Sequence, residues 1–405
     1  MHKNHKYFVG IVLLVVIVLI FTPVTLNQLK AGDYPHNIEQ AQQLSENGYL
    51  YLKANLLFQR VLLVVRDLLP FNFLARISPL LKQIIDIKSY EIAALAVTIL
   101  MQICIGIILW MFLYRKIQFT DGKVKDWVVG GLTLVLMLLG PITLFSFPER
   151  QFFGYFTGNP VHNAPFTLMK LFGVIFFITV TDYVNLQNHA RNQWIAIGAL
   201  ILATLAKPNI ALSMVPAFLL VFGIIRFKEL KDRNLIKWTA VLTFLIALVL
   251  ISQYIIMYTG DRGEKILIEP FRVMLLTSPN IGSVFFFLLM SIAFPLTFTL
   301  FTWRDTHHKV GFQLAWINFF ISILFAYFLA EQSDMASANF DWNPMLAIFF
   351  LFVVTVPEYV AIMKSSAKKG ITTVMKFATT GLLFFHFVCG CAFLYFSAIT
   401  PFLVR

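Results

Sequence analysis

The sequence predicts an all-α, polytopic membrane protein of about eleven transmembrane helices. Three observations carry that prediction. The 405 residues are 59% hydrophobic and 13% charged, with a mean hydropathy of +0.78, a balance that water alone does not sustain as a folded core. Apolar runs recur at roughly the 20-residue length that crosses a bilayer as a helix, without the residue-by-residue alternation of a membrane β-barrel. Lys and Arg gather in alternate loops, as the positive-inside rule requires of cytoplasmic segments. Backbone groups in hydrocarbon must be satisfied within their own segment, so helices and no β-sheet are expected.

The first run, 7–26, follows Lys3 and Lys6. It is longer than a signal-peptide core and ends in Thr25-Leu26-Asn27-Gln28 rather than a small-residue cleavage pattern, so it reads as a retained helix with its N-terminus inside. Further spans fall at 90–114, 127–147, 166–182, 194–206, 209–225, 238–258, 281–301, 312–330, 345–363 and 372–399. The runs 194–206 and 209–225 are each short for a crossing and flank Lys207-Pro208-Asn209. A hairpin keeps both Arg191 and the cluster Arg226, Lys228, Lys231, Arg233, Lys237 on the inner side; a single broken helix does not. Inner loops then collect Arg115, Lys116, Lys123, Lys125, Arg304, Lys309, Lys364, Lys368 and Lys369, while the outer loop 331–344 has no Lys or Arg. The chain reads as a single transmembrane domain, 1–405, with its C-terminus outside. A helical outer-face subdomain at 27–89 is inserted between spans one and two. Within it, 48–57, 56–71 and 78–87 are apolar stretches broken by charges, which read as helices on the outer interface.

The net charge of +12 marks topology rather than nucleic-acid binding, because no basic patch is interleaved with exposed aromatics. Cys104, Cys389 and Cys391 lie in apolar runs and read as small buried hydrophobes, with no disulfide or zinc site. No phosphate-loop, dinucleotide or nucleophile-elbow motif is present.

Chemistry is sought in the polar residues of the outer loops. Asp33 lies seven residues past the first span, in Gly32-Asp33-Tyr34-Pro35-His36. It reads either as a general base that takes a proton from an attacking hydroxyl or as a helix N-cap. The next outer loop ends Asn159-Pro160-Val161-His162-Asn163-Ala164-Pro165. His162 has no second His at ligand spacing, so metal binding is not indicated. Lys170 lies inside the fourth span, where a lysine is a functional candidate, for a phosphate oxygen, or else snorkels to the interface. Lys207 at the hairpin apex reads as a phosphate contact beside broken helix ends or as part of a simple turn. Arg262 either grips a phosphate or pairs with Asp261 or Glu264 as surface charge. The loop 331–344 carries Asp334, Asn339, Asp341 and Trp342. Carboxylates, amides and a flat aromatic suit a sugar; the alternative is a solvated loop with Trp342 in the interfacial belt. His36, His162 and Asn163 join these as candidates for sugar or acceptor contacts.

In layout the chain resembles bacterial integral-membrane glycosyltransferases of the GT-C superfamily, of the kind found in surface-polysaccharide biosynthesis. The matching pieces are Gly32-Asp33-Tyr34 after span one, the amphipathic first loop, the Asn159–Pro165 segment, Ala206-Lys207-Pro208-Asn209 and Asn339-Phe340-Asp341-Trp342. The resemblance implies a GT-C-like fold and a sugar donor carried on polyprenyl phosphate. It also implies a glycan or lipid acceptor, and transfer at the outer face of a bacterial plasma membrane with Asp33 as base. Donor binding would fall to Lys170, Lys207 and Arg262. The chain departs from many relatives in having no paired acid beside Asp33 and no soluble C-terminal domain, which puts metal dependence in doubt: a divalent metal stays open but is not indicated, and no other cofactor is called for. Two other classes remain: a transporter or flippase of lipid-linked saccharides, which would carry inverted repeats and polar residues at mid-membrane, and a polysaccharide polymerase, which usually places its large outer loop late in the chain.

Overall fold

The computed structural model describes residues 2–30, 32–48, 55–69, 79–143, 155–182, 190–226, 233–258, 265–332, 335, 338–364 and 373–399. In chain order the helices are α1 (His2–Gln28), α2 (Asp33–Asn47), α3 (Leu57–Leu68), α4 (Pro79–Lys116), α5 (Gly122–Leu138), α6 (Ala164–Thr181) and α7 (Ala190–Ala206). They continue with α8 (Asn209–Leu219, running on as a π-helix over Leu220–Ile225), α9 (Arg233–Tyr258), α10 (Arg272–Thr277), α11 (Ile281–Thr306), α12 (Val310–Phe328), α13 (Trp342–Lys364) and α14 (Thr373–Ile399).

Eight of these are long and apolar enough to cross a membrane, and the chain is an all-α polytopic membrane protein. Their packing sorts them. In the stretch containing α13, 78% of the most apolar window is buried, against 17% for α9; α13 is a central post and α9 stands at the rim. Leu19, Leu100, Phe244, Leu300, Leu324 and Phe384 are exposed on the outside of the bundle, where lipid rather than water makes their exposure inexpensive. The core includes many aromatic pairs, such as Phe177 stacked on Phe350 at 4.3 Å between centroids.

Three expectations are corrected. A β-ribbon is present: β1 (Ile266–Ile268) pairs antiparallel with β2 (Leu329–Glu331), Ile266 opposite Glu331. Where α12 stops, its next residues run extended, and the neighbouring Ile-Leu-Ile segment satisfies their backbone groups. The expected separate interface helix over 78–87 is instead continuous with span two. Pro79 sits at the first helical position, where it is tolerated, and neither Gly nor Pro follows before Gly106. The 38 residues of α4 reach about 57 Å, well beyond the thickness of a bilayer core. The third predicted span also shortens. α5 ends at Leu138, residues 139–143 run without helix, and 144–147 lie outside the described residues.

Glycine decides one close approach. A Cβ on Gly390 of α14 would lie 1.7 Å from the carbonyl oxygen of Leu138, so only glycine lets α14 meet the end of α5. His386, one turn earlier, ties the same junction. Its Nδ1 donates to the carbonyl of Gly140 at 2.6 Å, and its Nε2 accepts from the backbone N–H of Phe294 at 3.3 Å.

The ends of the bundle differ in charge. One end carries Arg115, Lys116, Lys123, Lys125, Arg226, Arg304, Lys309 and Lys364 at helix termini or the turns beside them. There Lys309 pairs with Glu358 at 2.5 Å, and His5 with the buried Asp126 at 2.9 Å. The opposite end holds the C-termini of α1, α7, α9 and α12 and the N-termini of α2, α6, α8 and α13. The site is there.

Candidate functional site

A cavity of about 510 Å³ opens at that end, within the range of small-molecule sites. Residues far apart in sequence line it: Asp33, His36, Asn37 and Gln40 of α2, Asn55 and Gln59 around the start of α3, Asn163 before α6, Lys207 and Asn209 at the α7–α8 turn, Gln253 and Tyr254 of α9, Glu331 of β2, and Asn339. Leu212, Leu250, Ile251, Ile266 and Phe340 supply apolar wall.

Asp33 is the first residue of α2, and the N-cap position falls on Gly32, whose φ is +70°. That left-handed backbone turns the chain sharply off α1 and suits glycine. The Asp33 carboxylate does not serve as the cap. Its Oδ2 accepts a hydrogen bond from Nδ2 of Asn163. Asn163 is itself the N-cap of α6, its Oδ1 accepting from the Phe166 backbone N–H at 2.7 Å. The cap therefore fixes which way the amide faces: with its oxygen committed to the helix, its nitrogen must point at Asp33.

Lys207 projects from the turn between α7 and α8, with Nζ 4.0 Å from the centre of the Trp342 ring, a cation–π contact. Burial lowers its pKa to about 8, against the opposing pull of the Asp33 and Glu331 carboxylates, which favour the charged form. Trp342 also faces His162, 5.5 Å between centroids, and Phe166 at 5.3 Å. Burial pushes His162 down to about 4, with Asp33 opposing and Lys207 adding to the shift; this imidazole is neutral near pH 7. Asn339 donates to Glu331 Oε2 at 2.6 Å, and Asn209 donates to the Asn339 carbonyl at 2.7 Å, so β2, the following loop and α8 are joined at the cavity rim.

The structure thus brings Asp33, His36, Asn163, Lys207 and Asn339 into one cavity, with His162 and Trp342 packed behind Lys207. It does not bring Lys170 there. That ammonium is buried inside the bundle, donating to the Gly158 carbonyl at 3.1 Å and to Asn159 Oδ1, with the Phe349 ring 3.7 Å from Nζ. Asn159 in turn donates to the carbonyls of Leu136 and Leu139 at 3.1 and 2.7 Å. Lys170 holds the buried segment 155–161 in place, and Asn159, fixed by it, satisfies carbonyl groups that the end of α5 leaves open. Asp341 is half-buried beside Trp342 and does not line the cavity. Arg262 and Asp334 lie outside the described residues.

Sequence reasoning passed over Asn37, Gln40, Asn55, Gln59 and Gln253. The signal for Gln59 and Gln253 was a lone amide in an otherwise apolar stretch. Among the described residues no group of three or more His, Cys, Asp or Glu is arranged to hold a metal ion. No known protein-family description and no curated protein matches the sequence.

Proposed function

We propose that this chain is an integral-membrane glycosyltransferase that moves a sugar from a polyprenyl-phosphate donor to a glycan, lipid or polymer acceptor at the outer face of a bacterial plasma membrane. The observation that supports it is the sharing of one cavity by a positioned carboxylate, Asp33, and a cation, Lys207. The acceptor hydroxyl oxygen attacks the anomeric carbon of the donor. The new C–O bond forms as the bond from that carbon to the phosphate oxygen breaks, with inversion. The proton passes to Asp33, whose Oδ2 is held by Asn163 and whose other oxygen is available to receive it. The electron pair leaves on the lipid phosphate, and the Lys207 ammonium stabilises the charge that develops there. A phosphate needs no strong acid to depart, so one carboxylate suffices.

The basic end of the bundle reads as cytoplasmic by the positive-inside rule, which puts the cavity outside. The count of eleven crossings follows if α5, α7 and α8 each traverse the membrane beside the eight long helices. The test uses membranes containing the chain and a panel of radiolabelled polyprenyl-phosphate sugars. Chain-dependent label in an acceptor is expected. Lys207→Ala should lower kcat/KM for the donor about 30-fold or more, from ~2–5 kcal/mol for removing one member of a buried charge pair. Absence of chain-dependent transfer from every donor refutes the proposal.

A further inference from the structure

One side of the cavity is rich in amides, hydrogen-bonded in two groups. Gln59, 2% exposed, spends both hydrogens of Nε2 on neighbours, Asn37 Oδ1 at 2.7 Å and Gln40 Oε1 at 2.8 Å. Gln253, 4% exposed, does the same with Asn55 Oδ1 at 2.8 Å and the Thr204 carbonyl at 3.0 Å. That leaves Oε1 of Gln59 and Oε1 of Gln253 buried with no donor, on two side chains that both border the cavity. Those two oxygens are closed to solvent, so what a ligand in the cavity meets is the amides that Gln59 and Gln253 brace, Asn37, Gln40 and Asn55.

The Nε2 donors of Gln59 and Gln253 are spent within the protein, and each side-chain amide oxygen they meet keeps a second lone pair, so a ligand on this wall must bring donors. A phosphate or carboxylate brings acceptors and negative charge, which suits the Lys207 side and not this wall. A hydrocarbon tail brings nothing. A hydroxyl brings a donor together with lone pairs of its own, and a ligand with many hydroxyls matches a wall whose members offer both functions. Asn37, Gln40, Gln59 and Gln253 carry no charge, which selects a neutral ligand. Asp33, Asn37 and Gln40 follow one another at helical spacing along one face of α2, and Asn37 Nδ2 donates to the Asp33 backbone carbonyl at 2.6 Å. A hydroxyl seated on this wall is therefore next to the Asp33 carboxylate, with the Lys207 ammonium reached from another side of the same cavity.

We propose that Asn37, Gln40, Gln59 and Gln253 form a subsite for a neutral, hydroxyl-rich acceptor, a carbohydrate. Calling it the acceptor rests on the transferase reading; the carbohydrate subsite itself does not. The full chain, purified in detergent, is presented with a panel of neutral pentoses, hexoses, N-acetylhexosamines and their disaccharides, and binding is read by saturation-transfer NMR. At least one sugar should bind. Gln59→Leu and Gln253→Leu should each weaken it about tenfold or more, and Asp33→Asn should retain it. Gln40→Ala, a less buried position, tests the same wall if a leucine variant fails to fold, with thermal melting as the check. The subsite is overturned if no sugar of the panel binds, or if folded variants bind as well as the parent. The two proposals separate cleanly. Amide-dependent sugar binding without transfer from any lipid donor removes the transferase and leaves the subsite. Transfer whose acceptor KM ignores these substitutions removes the subsite and leaves the transferase.

Discussion

Replacing Asn163 by aspartate keeps the helix cap and reverses what faces the base. Asp is as good an N-cap as Asn, so its carboxylate still accepts from the Phe166 N–H, and α6 keeps its start. The group facing Asp33 changes from an N–H donor to a second carboxylate. Losing a hydrogen bond to a charged group costs about 1.5–3 kcal/mol. Two like charges at 4 Å repel by about 4 kcal/mol at an effective dielectric of about 20, roughly three pK units at about 1.4 kcal/mol each. The pair then shares one proton near pH 7, as close carboxylates do, and the base is blocked. Sugar transfer in membranes should fall at least about tenfold at pH 7. The ratio of variant to parent activity should rise as pH is raised, because the shared proton leaves only at higher pH. Asn163→Ala should lose activity without that alkaline recovery, and should also lose about 1 kcal/mol of stability with the cap. Unchanged activity in Asn163→Asp, or recovery on acidification, would refute the reasoning.

Lys207 should impose an alkaline limb. Its folded pKa of about 8 lies below the usual lysine value, so the cation is present below pH 8 and lost above it, and kcat/KM for the donor should fall through that region. Lys207→Arg, which stays charged, should move the limb out of range, as a pH–rate profile will record. Lys170→Met should destabilise the fold by about 1–3 kcal/mol for the acceptors it strands while leaving the donor KM of the folded protein unchanged; thermal melts and kinetics together check this. Gly390→Ala should lower the melting temperature sharply or prevent accumulation, since its Cβ meets the Leu138 carbonyl and overpacking costs ~1–3 kcal/mol or more.

Much of the helical layout was legible because spanning length and apolar content are set by bilayer thickness, a constraint visible in any single run. The positions of Asp33 and Lys207 were legible for a related reason: polar residues beside an apolar run must lie near an interface. That Asn163 caps one helix and orients the base on another was not legible, because the two residues are 130 positions apart and nothing local links them. Lys170 was ambiguous in sequence because a buried lysine and a ligand-facing one look alike; only the buried segment bearing Gly158 and Asn159 separates them. The amide wall was hidden because Gln59 and Gln253 sit on different helices and each alone reads as a polar interruption. The β-ribbon escaped because three-residue strands leave too short a pattern for a period-two signal.

The most direct test of the account is the rate of sugar transfer in Asp33→Asn measured beside donor binding in the same variant. The substitution keeps the size and hydrogen-bonding reach of the side chain and removes its capacity to take a proton. The account predicts a loss of about 10²-fold or more in rate, with lipid-donor affinity and melting temperature close to the parent's. A variant that transfers sugar at the parental rate would contradict it.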